Sequence, residues 1–222
     1  MAGRKGTAVL LMVASAGLLF AAVPEAVSEA DALLASLRPP ALRSLAIAEG
    51  ELVPARSYLS KDEYLRSCLT IPASLEGLLR PLAERTRLLV NCRDAARALT
   101  IEMPTYALPH LVDAETSAAL REPFAEALAR ARALAPHVHW QADRRAILAR
   151  AQYERLDDAG RVAYEDDLRA LFGSAEGRRA LAMHFLRWPD QRDRLTGIAE
   201  TVPDEAQRDF LGKVKQQAAP SP

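Results

Sequence analysis

The residues of this 222-residue chain whose types and spacing could do chemistry are four histidines, two cysteines and a few clustered carboxylates and arginines. His137-Val-His139, with Asp143 four residues on, comes nearest to a metal-ligating group. On a strand the two imidazoles would share a face and could chelate one ion; on a helix they point about 200° apart and cannot. Pro136 marks a helix end just before them, so the pair reads as two exposed loop histidines. Glu165-Asp166-Asp167 offers the paired carboxylates that acid–base catalysis needs. Three consecutive helical side chains fan out around the axis, which predicts a solvated face instead. His184, among Leu181, Phe185 and Trp188, reads as a core or interface histidine, and His110, three residues before Asp113, as part of a turn. The pairs Arg144-Arg145 and Arg178-Arg179 could hold an anionic lipid or glycan, but each has acids nearby and reads as exposed arginine. No catalytic, metal or cofactor residue is therefore assigned.

The motifs that are missing point the same way. There is no Gly-x-Ser-x-Gly elbow, no Gly-x-x-x-x-Gly-Lys phosphate loop, no His-Glu-x-x-His and no Cys-x-x-Cys-His. Ten glycines leave little material for tight catalytic loops. A glycosidase working through Glu or Asp needs no short motif, and a helical periplasmic hydrolase acting on glycan or lipid stands as the alternative reading.

The two cysteines, Cys68 and Cys92, carry the firmest chemical expectation. At helical spacing Tyr64, Leu65, Cys68 and Leu69 share one apolar face, and Leu88, Cys92, Ala95, Ala96 and Leu99 share another. Both sulfurs then face one interior, and in an oxidising compartment a lone pair of thiols is expected to be bridged.

That compartment follows from the start of the chain. Arg4 and Lys5 precede the uncharged run Thr7 to Val23, and Pro24 and an acidic stretch follow it. This is the layout of a secretion signal, and seventeen residues also fall at the lower end of what spans a bilayer. Residues 1–30 therefore read as a signal peptide or a membrane anchor, with residues 7–23 as the membrane segment if uncleaved. The basic start keeps the N-terminus inside, so the rest is expected on the periplasmic side of the inner membrane. Lys+Arg and Asp+Glu are 29 each, so no charge excess draws the chain to nucleic acid. Arginine far outnumbers lysine and alanine is abundant, the coding signature of a GC-rich bacterium.

Helical spacing recurs almost everywhere beyond residue 30. The expected fold class is all-α: an N-terminal signal or anchor helix, then an irregular multi-helix bundle over residues 31–217. A helix is predicted to run from Pro40 to Gly50, and the capping-box spacing Ser60-Lys-Asp-Glu63 predicts another starting at Lys61. Thr100 to His110, with Pro104 and Pro109, reads as an extended crossover and gives a possible sub-boundary at 100–112. Pro123 opens an amphipathic helix on which Glu126 and Arg130 should pair at i,i+4. Asp157-Asp158 caps a helix ending at Gly173, and residues 218–222 read as a disordered tail. No internal repeat of fixed period is apparent. The Ala/Arg-rich segment Leu168-Arg-Ala-Leu-Phe-Gly173 resembles the helical array of lipase-specific steric chaperones over that handful of residues, and no residue role is carried over. The functional expectation is a non-catalytic scaffold, adaptor or chaperone-like surface whose partner is another envelope protein.

Overall fold

The computed structural model describes residues 22–24, 26–34 and 37–219. The expectations for the basic start, most of the apolar run at 7–23 and the tail beyond Ala219 lie outside the described residues. Among the described residues the fold is all-α without a strand, and no helix is long and apolar enough to cross a membrane. The chain divides into two compact units, Met1–Ala95 and Ala96–Pro222.

In the first unit residues 26–34 are helical, followed by α1 (Pro40–Ala48), α2 (Tyr58–Thr70), the single turn α3 (Leu75–Leu78) and the start of α4 (Leu82–Glu102). Proline opens α1, and Gly50 closes it with φ +75°, a conformation that costs glycine little. The Asn91 side chain donates to the carbonyls of Ile47 and Ala48 and so satisfies the α1 end. Helix α2 begins at Tyr58, three residues before the expected Lys61. Ser57 is the N-cap and accepts from the Ser60 amide, while the Ser60 hydroxyl accepts from the Ala55 amide. Ile47, Leu65, Cys68, Leu88 and Cys92 are each buried, and Cys68 is disulfide-bonded to Cys92 with the Cα atoms 5.6 Å apart.

The second unit contains α5 (Ala107–Ala119), α6 (Ala125–Leu134), α7 (His139–Ala151), α8 (Asp158–Phe172), α9 (Ala175–Arg187), α10 (Arg192–Ala199) and α11 (Asp204–Ala218). Residues 100–110 are not an extended crossover. Helix α4 continues to Glu102, a short turn holds Pro104, and Pro109 is the third residue of α5, where no intrahelical N–H bond is lost. Asp157 caps α8 by accepting from the Gly160 amide, as its position predicted. Leu168, Leu171 and Leu181 form the aliphatic centre of the core, and Phe210 of α11 closes it edge-on against Phe172 and Phe185.

The two units contain one local motif in common. In the first, Ser74 caps α3 by accepting from the Gly77 amide; in the second, Ser174 caps α9 by accepting from the Gly177 amide. Each glycine is pressed on the preceding helix end: a Cβ there would stand 2.1 Å from the carbonyl oxygen of Ile71 or of Leu171. The helix before each turn starts one residue after its cap, at Ser57 or Asp157, and buries a tyrosine, Tyr64 or Tyr164. Every one of these pairs is offset by 100 in number.

Candidate functional site

Helix α6 buries little of its surface, and the reason is in its sequence. Only Leu128 and Ala131 are buried, and much of the remaining surface is alanine, too short to reach neighbouring helices. Two cavities result, one on each flank. The larger, about 1100 Å³, lies between α6 and α5 and is walled by Pro123, Phe124 and alanines, with His110, Arg130 and Arg155 among its polar groups. The smaller, about 640 Å³, lies between α6 and α8 and is lined chiefly by Leu128, Ala149, Leu156, Gly160 and Ala163, with Asp167 at its polar end.

In the larger cavity Arg97 is held by Asp113 at 3.0 Å and by Glu122 at 3.6 Å, and Asp113 also accepts from the Ser117 hydroxyl. Arg155 donates to the Glu122 carbonyl at 2.8 Å and to Gln152, and its guanidinium lies over the Phe124 ring at 4.9 Å. Among the described residues no carboxylate pairs with Arg155, and Glu126 and Arg130 make no ion pair with each other or with any other group. The expected i,i+4 pair on α6 is therefore not formed: both side chains are exposed, where such a pair gains little. His110 is hydrogen-bonded to the Pro104 backbone, whose only polar group is its carbonyl, while Nε2 is buried without a partner. The ring therefore donates from Nδ1 and carries its lone pair on Nε2. Burial, reinforced by the nearby Arg130 charge, pushes the His110 pKa down, against a smaller upward effect of Asp113 and the Pro104 bond.

In the smaller cavity the polar groups are already engaged. Arg145 is fully buried and makes a two-pronged ion pair with Asp167 (3.0 and 2.8 Å), with a further donation to the Ala135 carbonyl. Arg132 approaches the same carboxylate at 3.5 Å and bonds Asp166 at 2.9 Å. Burial lifts the Asp167 pKa, opposed by Arg145 and Arg132. The Tyr164 hydroxyl donates to Gln191.

These contacts correct two sequence expectations. The acidic cluster is not a uniformly solvated face: Glu165 and Asp166 pair with Arg169 at the surface, but Asp167 is buried. Position 167 falls three after Tyr164 and four before Leu171, on the inward stripe of α8, so helical spacing itself held the signal. Likewise Arg144-Arg145 is not a pair of exposed arginines. Arg144 clamps Glu115 through both oxygens, and Arg145 lies in the core between Ala142 and Ala149 at helical spacing.

His137 is exposed before α7, His139 is its first residue, and neither lines either cavity. Asp143 turns instead to His184, whose Nε2 lies 3.0 Å from Asp143 Oδ1 and whose ring stacks on Trp188 at 4.3 Å. His110 and Asp113 are helical residues of α5, not a turn, and sequence reasoning missed them because the groups that complete their cavity come from other helices. Among the described residues no cluster of three His, Cys, Asp or Glu could hold a metal ion. The first unit has an apolar surface of its own: Leu75, Leu78, Leu79 and Leu82, at helical spacing, are all more than half exposed. No protein-family model, no curated protein and no solved structure matches this chain.

Proposed function

We propose that the protein is exported to the cell envelope, tethered through residues 7–23 or released by cleavage of residues 1–30, and acts there as a non-catalytic scaffold, adaptor or chaperone-like surface for another envelope protein. The observation that carries this reading is the pair of cavities along α6. Their walls are mostly apolar, and of their carboxylates Asp113, Asp157 and Asp167 are committed to an arginine or a cap, leaving Glu126 alone at the rim. A glycosidase of the two-carboxylate kind needs a pair of free carboxyl groups facing one another across a substrate. A binding surface needs concave apolar area that water leaves readily.

The test is a photo-crosslinking residue at Ala129, which borders both cavities, in protein expressed with its own N-terminus. One discrete adduct with an envelope protein, lost when Ala133→Trp fills the groove, is expected. Glycan or lipid hydrolysis by the purified protein that disappears in Glu126→Gln would overturn the reading in favour of the enzyme. A reporter joined after residue 40 that is active only in the cytoplasm would remove the envelope from it.

A further inference from the structure

We propose that the cavity between α5 and α6 binds a monocarboxylate carrying a compact apolar body, with the carboxylate at Arg130 and Arg155 and the apolar part against Phe124 and Pro123. This rests on the reading of the α6 cavities as binding sites and adds the ligand's chemistry to it.

Charge gives the first argument. The ionised groups of the wall are Arg97, Arg130 and Arg155 against Asp113 and Glu126, so three positive less two negative leaves one positive charge. Arg97 is taken up by Asp113 and Glu122, whereas among the described residues Arg155 has only neutral acceptors and the Arg130 guanidinium has no ion-pair partner. A monoanion balances this wall; a dianionic phosphate would leave it negative. Carboxylate, like phosphate, offers two oxygens to the guanidinium fork, so the charge balance is what separates the two anions. The apolar half follows from Phe124, held under the Arg155 guanidinium, with Pro123 and the alanines of α6 beside it.

His110 supplies an internal reporter. It shares the cavity with the charged groups Asp113 on its own helix, Arg130 and Glu126 on α6, Arg97 on α4 and Arg155 beyond α7; of these Arg130 and Asp113 act on its ring, and Arg130 helps keep it unprotonated. A carboxylate on Arg130 offsets that repulsion, so binding is accompanied by uptake of part of a proton at His110.

Calorimetric titration of the protein near neutral pH, in two buffers of different ionisation enthalpy, tests this with octanoate, 1-octanol and inorganic phosphate as probes. Octanoate should bind one to one, at least about tenfold tighter than either other probe, the worth of one charge-assisted hydrogen bond. Arg130→Gln, at an exposed side chain that makes no ion pair among the described residues, should weaken octanoate by about tenfold or more with an unchanged circular dichroism spectrum. His110→Gln should retain binding and abolish proton uptake. A free fatty acid and a peptide C-terminus share this chemistry, and comparing octanoate with acetyl-Ala-Leu names the source. Octanoate no tighter than octanol, or unaffected by Arg130→Gln, overturns the proposal. If it fails while the Ala129 crosslink still captures one partner, the binding-surface reading stands and the carboxylate site alone is lost.

Discussion

The turn from α2 into α3 and the turn from α8 into α9 solve one backbone problem in the same way and then secure it by different means. In both, a serine caps the next helix and a glycine lets two helix ends touch. Behind the first turn stands Cys68, bonded to Cys92; behind the second, at the matching position, stands Leu168 in an aliphatic and aromatic core. One position earlier, Ser67 accepts from Arg43 while Asp167 takes the buried Arg145. Local backbone chemistry is thus common to the two units, whereas the fastening is covalent in one and ionic and aromatic in the other. The difference is as expected from size, since a unit of fewer than 100 residues has less core to draw on than its larger neighbour.

The comparison breaks most sharply at the ionic fastening. Arg145→Met alone leaves Asp167 buried without its main partner and should cost the second unit about 3–5 kcal/mol, read from urea denaturation followed in the Trp140 and Trp188 fluorescence. Adding Asp167→Leu should recover most of that loss; failure to recover would mean that the pair's hydrogen bonds matter more than its charge balance. Next come the matched positions behind the turns. Leu168→Ala should cost about 2–5 kcal/mol through the cavity it opens. Reducing the disulfide should destabilise the first unit by roughly 3 kcal/mol, from the entropy of a loop of 24 residues. Thiol titration of the unfolded, unreduced protein should find no free thiol; two reactive thiols would remove the covalent half of the comparison.

The glycines sharpen it. Gly77→Ala and Gly177→Ala each drive a Cβ into a backbone carbonyl, so both should lose about 1–3 kcal/mol by similar amounts despite their different surroundings. Unequal losses would show that the fastening, not the turn, sets the local rigidity. The smallest effect concerns His110. Its folded pKa lies below the unfolded value of 6.5, so the unfolded ring takes up a proton first and stability falls as pH drops below that value. The loss is complete only below the folded pKa, and it should be absent in His110→Gln when the two proteins' denaturation midpoints are compared between neutral and mildly acidic pH.

Much of the helical layout was legible because its signals are local. Asp157 at a cap, Gly50 after α1 and the spacing of Tyr64, Leu65 and Cys68 each act within a turn or two of the chain. The α2 start was misread because Ser57 and Ser60 are both good caps, and the choice between them rests on which amide each can reach. Asp167 and Arg145 are hidden by their charge, although each lies on an inward stripe. The α6 cavities were beyond reach for a different reason. Nothing in the sequence of α5 says that His110 will face Arg130, because that meeting depends on how alanine-rich helices fail to fill the space between them. The shared turn was hidden by its thinness: Tyr64, Ser74, Glu76 and Gly77 recur at Tyr164, Ser174, Glu176 and Gly177, with little likeness between them.

The buried guanidinium of Arg145 also bears on how this chain can change over generations. Losing either member of the pair first leaves a lone charge in the interior, a step that selection against misfolding removes. Descendants of this sequence should therefore keep both residues or exchange both together for apolar ones.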